Sequence, residues 1–488
     1  MRDPKQVLEN TIKRCRERGI IIPTFEEMAH PDRIPQKIKD ELKGIGLWEL
    51  NSRNLFRITW KNEPVEKGGG FGGVNFLELP KELTGVNARI FQLLGKFFPT
   101  GAHKVGATFG PLVTRMIEGR FDPSTQKAMW PSTGNYCRGG AFNSYLLGAD
   151  AIAVLPQGMS RERFEWLKTV GAEIIATPGT ESNVKEIYDK TKELLATRGD
   201  SIVNLNQFAE LPNPMWHYAV TGPAMEEIFE KHKRPGQRIA GVALTQGSAG
   251  TLGAAEYLKE KYPTCKVGVS EAWECPTLLN NGYGAHRIEG IGDKHVPWVH
   301  NLKNTDLVLD IADEDCIRVM RLFNEPAGHR KLVRAGVAPE VVDKLHLLGI
   351  SGIANLLSTI KMAKFLEMNS NDVLFTIATD SMEMYQSRVQ EYRELEGEYN
   401  DYHAAADYDR RLMGQTTDHM QELGYWDRKR MHNLKYFTWV EQQGKTTEEL
   451  NAQWYDEGYW LRQFHSVPEW DEKIREFNDK TGVLRSYL

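Results

Sequence analysis

Short apolar runs alternate with helical patterns through the middle of the chain. The runs 151–155, 174–176 and 239–244 are hydrophobic without a polar break, as strands buried on both faces of a parallel sheet require. Between them, 160–171 and 182–195 repeat apolar residues at helical spacing. Strands that alternate with helices predict a parallel sheet with helices on both faces, and the pattern runs from about Leu77 to Thr379. Ahead of it, residues 1–70 predict a helical lead-in that passes into the glycine-rich segment 68–73. No clear strand precedes those glycines, so they read as a flexible connection rather than a phosphate loop. No internal repeat or low-complexity segment is visible.

The tail, residues 388–488, reads differently. Its helical stretches are charged, yet it carries Trp426, Trp439, Trp454, Trp460 and Trp470. Disordered tails avoid aromatics, so this one is expected to fold and bury them against the body or another subunit. Thr446 and Glu449 have capping-box spacing, and Gly444 can end the preceding helix. The tail lacks the strand–helix alternation of a nucleotide-binding regulatory domain.

Composition narrows the function classes. The 488 residues are 41% hydrophobic and 26% charged, which suits a globular chain of two or three domains. A formal net charge of −5 offers no basic platform, so nucleic acid is not expected as a partner. No apolar run reaches the ~18 residues of a membrane span, and the polar start Met1-Arg2-Asp3-Pro4-Lys5 lacks the core of a signal peptide. The five cysteines, Cys15, Cys137, Cys265, Cys275 and Cys316, show no CxxC spacing. They predict reduced thiols and a cytoplasmic location, with no disulfide framework and no metal site.

Four segments carry candidate chemistry. Lys104 closes the turn Pro99-Thr100-Gly101-Ala102-His103, which follows the apolar-rich run 90–94. A lysine in such a turn can face a pocket, lose hydration and act as a nucleophile toward an aldehyde; an ordinary solvated lysine is the alternative. The segment Gln246-Gly247-Ser248-Ala249-Gly250-Thr251 directly follows the strand 239–244 and opens a helix over 254–261. Glycines let successive backbone N–H groups turn toward one point, and the helix start adds partial positive charge, so this is a phosphate cradle or an ordinary tight turn. Ser132-Thr133-Gly134-Asn135 can present donors to a carboxylate, and the Asn135 amide can bond a phenolate-like oxygen. Gly349-Ile350-Ser351-Gly352 opens a helix over 353–365, where Ser351 alone would read as a helix cap.

Taken in order and spacing, these segments resemble the fold-type II pyridoxal-phosphate enzymes, the family of cysteine synthase, cystathionine β-synthase and the tryptophan synthase β chain. The resemblance runs from about Leu77 to Ser387. Gly101-Ala102-His103-Lys104 is most similar to the tryptophan synthase β form. Pro156, Met159-Ser160, Arg163 and 167–173 match a family scaffold stretch, Gln207-Phe208 through Pro223 matches another, and Gly290-Ile291-Gly292 completes the set. The resemblance implies an α/β fold of two parallel-sheet domains with the cofactor cleft between them. It implies a large cofactor-binding domain over 75–99 and 216–387 and a small one over 100–215 that carries Lys104 and the loop 132–135. Helical extensions at 1–70 and 388–488 would complete the chain.

The resemblance also implies roles. Lys104 would hold pyridoxal 5'-phosphate and then move the substrate's Cα proton. Gly247, Ser248, Ala249, Gly250 and Thr251 would bind the phosphate, with His103 a further donor. Asn135 would bond the ring's 3'-oxygen and Ser351 its nitrogen. Ser132, Thr133, Gly134, Gln207 and Gly290 would meet the substrate. A serine at the ring nitrogen leaves the ring near neutral, which suits loss of a group from Cβ rather than transamination. The expected reaction is β-elimination or β-replacement on an L-amino acid of the cysteine, serine or O-acylserine type, through an external aldimine and an aminoacrylate. Two alternatives stand beside it: the β subunit of a two-component enzyme such as an amino-ketopentanoate thiolase, with a second subunit docked on the C-terminal extension, and a non-catalytic binding or regulatory paralogue. A homodimer is the family's habit. The loop departs from the family in Tyr136-Cys137-Arg138, where Tyr136 and Arg138 would narrow the pocket or Arg138 would pair on a surface.

Overall fold

The structure, a computed structural model, describes residues 2–488 apart from Thr133, Glu181, Ser182 and Asp293. Among the described residues, the strands in chain order are β1 (Phe76–Leu79), β2 (Arg89–Leu94), β3 (Lys127–Pro131), β4 (Asp150–Pro156), β5 (Glu173–Thr177), β6 (Ile202–Asn204), β7 (Arg238–Thr245), β8 (Lys266–Ala272), β9 (Leu307–Ile311), β10 (Asp372–Ala378) and β11 (Met420–Glu422). They form a large sheet, β1-β2-β10-β7-β8-β9-β11, and a small one, β5-β4-β3-β6. The small sheet is parallel throughout. The large sheet is parallel from β2 to β9 and antiparallel at both edges. Every residue of β9 and β10 is buried, which is why these strands show no apolar–polar alternation. The fold is thus the expected α/β architecture with parallel sheets and helical extensions.

Two helices bring the sheets together at the cleft. Lys104–Ile117 leaves the end of β2 in the large sheet, and Asn135–Leu146 leaves the end of β3 in the small one; the two pack against each other. The expected helices at 160–171 and 182–195 are Arg161–Thr169 and Val184–Arg198, and Ser182 lies outside the described residues. All five cysteines are buried and free. No described helix is long and apolar enough to cross a membrane.

The tail folds, with two differences from a purely helical, aromatic-burying extension. Trp439, Trp454 and Trp460 are buried, but Trp426 is 79% exposed. Trp439 donates its indole N–H to the Val296 carbonyl (2.8 Å) and joins a cluster with Val184, Phe208 and Trp298. The Thr446–Glu449 capping box is present, and Gly444 sits in the left-handed region. The second difference is β11, which the tail adds to the large sheet by antiparallel pairing with β9. Nothing in Met420-Gln421-Glu422 signals a strand; the pairing partner imposes it.

The two extensions also clasp each other. The Asn478 side chain bonds both the N–H and the carbonyl of Ile22 (3.0 and 2.8 Å). The Asp471 carboxylate accepts from the N–H groups of Phe25 and Glu26 (2.6 and 3.1 Å), capping the helix Phe25–Ala29. The Arg16 guanidinium donates to the Lys480 and Thr481 carbonyls.

Candidate functional site

Lys104 stands at the first position of its helix, after β2 and two short 3₁₀ turns. Thr100, with φ of 65°, turns the chain sharply just before it. The Thr379 carbonyl, one residue beyond the end of β10, anchors this turn by accepting from the His103 N–H (3.2 Å). Lys104 Nζ reaches Ser248 Oγ (3.2 Å) and Gln207 Oε1 (3.5 Å). Its side chain lines a narrow cleft together with Ser132, Asn135, Gln207, Gly247, Ser248 and Gly290. The cleft lies where the carboxyl ends of β2, β3, β7 and β10 converge, the usual place for ligands in parallel α/β sheets.

The glycine turn after β7 has the form of an anion cradle. Ala249 adopts φ of 61° although it is not glycine. The N–H groups of Ser248, Ala249 and Thr251 meet no protein acceptor among the described residues, and the helix Leu252–Lys261 begins directly after them. Gly250 is required by contact: a Cβ there would meet Asn213 Oδ1 at 2.2 Å. Asn213 Nδ2 in turn holds the Gln207 carbonyl (3.0 Å) and Ser248 Oγ (3.3 Å). Gly250→Ala is therefore expected to push Asn213 away and open the cradle, lowering stability by about 1–3 kcal/mol. A thermal melt together with a phosphate or cofactor titration checks this.

On the opposite wall, Ser132 Oγ accepts from the Gly134 N–H (3.2 Å) and from Gln207 Nε2 (3.3 Å). Gly134, with φ of 155°, presses its backbone against Arg163, and a Cβ there would meet the guanidinium at 2.4 Å. Thr133 lies outside the described residues. Asn135 Nδ2 donates to Asp380 Oδ2 (2.7 Å), and its Oδ1 accepts from Arg138 (3.1 Å).

Several candidates fall elsewhere. The His103 ring is fully buried beside Trp60 and His217 and does not line the cleft. Burial, then the Lys104 charge, holds its pKa well below the usual imidazole value. Arg138 neither narrows the cleft nor pairs on a surface. It is fully buried, donates to the Thr100 carbonyl (2.6 Å) behind the Lys104 turn, and lies over the rings of Trp48 and Trp166. Tyr136 does line the cleft. Burial pushes the Cys137 thiol up to about 12, which makes it inert at neutral pH. Ser351 does not cap its helix; Gly349 stands at the cap, and Ser351 sits in the first turn of Ile350–Phe365. Its hydroxyl is buried without a hydrogen-bond partner and backs Gly290, whose Cβ position would lie 3.2 Å from it.

The sequence motifs leave out other residues at this place. Val184 and Thr379 line the cleft beside Arg163 and Phe208. Behind them runs a buried polar chain. Tyr385 donates to Asp380 Oδ2 (2.7 Å) and accepts from Arg163 (2.8 Å). Arg163 pairs with Glu289 (3.0 Å), which also takes Arg388 from the helix Gln386–Glu396 (2.6 Å). Thr379 could have been found from its place just past a predicted central strand; the polar chain has no local signal.

A family model described as "Pyridoxal-phosphate dependent enzyme" matches residues 69–345. The chain is 31% identical over 242 residues to a probable cysteine synthase of Bacillus subtilis, covering 49% of this chain and 76% of that one. It is 27% identical over 317 residues to a cysteine synthase of Staphylococcus aureus, covering 65% and 93%. Among solved structures, the cysteine synthase of Entamoeba histolytica superposes with a TM-score of 0.56 at 22% identity, covering 69% of this chain and 93% of that one, which speaks for the fold. With more than half its length matched by the family model and close to a third of the aligned positions shared with the Bacillus protein, this chain belongs to the pyridoxal-phosphate-dependent enzyme family, among its lyases and transferases.

Proposed function

We propose that the enzyme carries out β-elimination or β-replacement on an L-amino acid of the cysteine, serine or O-acylserine type. The observation that carries this reading is Ser351: a buried, unpartnered hydroxyl, rather than a carboxylate, backs Gly290 at the cleft wall. The residues present suit pyridoxal phosphate. The free N–H groups at 248, 249 and 251 suit its phosphate, Ser351 Oγ suits its ring nitrogen, and the Lys104 amine suits its aldehyde. When bound, the cofactor supplies an aldehyde that condenses with amines and a ring that draws electron density from the substrate's Cα.

The chain's own residues do the rest. Lys104 would hold the cofactor and, once the substrate amine replaces it, take the proton from Cα at Nζ; the leaving group then departs from Cβ with its bonding electrons. Asn135 Nδ2 has a second N–H, beyond the one given to Asp380, to offer the ring oxygen. Ser132, Gly134 and Gln207 would orient the substrate carboxylate. A hydroxyl at the ring nitrogen donates weakly, so the ring holds little charge and expulsion from Cβ is favoured. The relatives named as cysteine synthases support the same chemistry.

The test is a panel of amino acids. Cysteine, serine and O-acetylserine are each added to the holoenzyme while its visible spectrum and the release of pyruvate and ammonia are followed, with and without an added thiol. A spectrum that responds to none of the three overturns the reading. Ser351→Asp is expected to shift the bound cofactor's band to longer wavelength. It should also slow turnover about tenfold or more, the effect of ~1.4 kcal/mol at the transition state. Unchanged spectra and rates would remove Ser351 from the ring nitrogen.

A further inference from the structure

Asp380 lies two residues past the end of β10 and is completely buried. It is the junction between the cleft and the polar chain behind it. Both hydrogen bonds to its Oδ2 come from donors, the Asn135 amide and the Tyr385 hydroxyl, each at 2.7 Å. An ionised carboxylate satisfies that arrangement. Its Oδ1 has no hydrogen-bond partner among the described residues and faces Gly349, where a Cβ would come within 2.0 Å of it. No larger residue fits at 349, and the segment Gly349–Ser351 is thereby held against Asp380. The charged groups around it are the guanidiniums of Arg163 and Arg138. Arg163 reaches it through Tyr385 and Arg138 through Asn135. Burial raises the carboxyl's pKa, and Arg163 foremost opposes this.

The Asn135 side chain has no freedom left. Arg138 fixes its oxygen and Asp380 one N–H, so the amide cannot flip and its remaining N–H is fixed in direction. We propose that Asp380 is a positioning residue that aims the Asn135 amide into the cleft and places a fixed negative charge on the side of the bound cofactor that Asn135 meets. The inference rests on the reading of Lys104 and Asn135 as cofactor contacts. A negative charge at that place helps the cofactor–Lys104 linkage keep its proton.

The experiment is a pH titration of the visible absorbance of the holoenzyme. Asp380→Asn keeps the shape and removes the charge, and is expected to lower the pH of the spectral transition by about one unit or more. Its apoprotein should also bind pyridoxal phosphate more weakly in an equilibrium titration. Tyr385→Phe keeps the carboxylate but removes one of its two donors, so the charge is less neutralised and the transition should rise. Asp380→Ser, smaller at the same place, serves if the asparagine variant does not fold. A titration in Asp380→Asn or Asp380→Ser that matches wild type, or a fall in Tyr385→Phe, overturns the proposal. Lys104→Ala separates the two levels: if it retains the visible band, the cofactor reading fails; if it loses the band, the Asp380 variants decide on Asp380 alone.

Discussion

Replacing Lys104 by alanine is expected to abolish the visible band of the bound cofactor and to cut turnover by about 10⁴-fold, the upper range for loss of a positioned proton-transfer group. On the proposed reading two functions would go at once: the amine that anchors the cofactor and the base that takes the Cα proton. Folding should survive, since the hydrogen bonds of Lys104 Nζ to Ser248 and Gln207 are 3.2 Å or longer and the backbone N–H of the lysine sits in the unbonded first turn of a helix. The check is absorbance and product release on the purified variant beside a thermal melt. A variant with full turnover would show that Lys104 is not the anchoring amine.

Glu289→Ala should have the largest effect on stability. The Arg163 side chain is 1% exposed and that of Glu289 6%. Removing the carboxylate takes a 3.0 Å ionic contact from the Arg163 guanidinium, buried beside the cleft, and a 2.6 Å contact from a second, Arg388. A buried pair broken on one side costs about 3–5 kcal/mol. The denaturant midpoint should fall accordingly, and cofactor retention with it, because the next residue, Gly290, lines the cleft. A loss under ~1 kcal/mol would mean that water or another acceptor replaces Glu289, and that the ion network is not the tie between cleft and tail.

The parts that were legible in the sequence are those whose chemistry is local. Lys104 at a turn, the glycine cradle after β7 and Ser351 at a helix start each need only a few adjacent residues, and the described ones stand at one cleft or against its wall. Runs such as 239–244 could be read as strands because burial on both faces removes polar positions. Long-range partner choice could not be read. Asn135 and Asp380 are 245 positions apart, and no periodicity links them. Arg138 looked like a pocket residue because it follows the loop directly, yet its helix turns it back behind Thr100. His103 stands next to Lys104 in the chain, but the turn sends its ring into an aromatic box. Neither the clasp between Asp471 and Phe25 nor the strand character of 420–422 has any local signature.

The edge strand β11 has a consequence for the behaviour of the chain in crowded solution. β9 is buried at every position, and without β11 its outer row of N–H and carbonyl groups would be bare. Such an edge is a template for cross-chain pairing. The tail blunts it with a strand of only three residues ending in Glu422, a short charged border that recruits no further strand. Chains cut within the tail ahead of Met420 should therefore associate into insoluble material at concentrations where the full chain stays dispersed. Light scattering would register this even where the catalytic cleft is still intact.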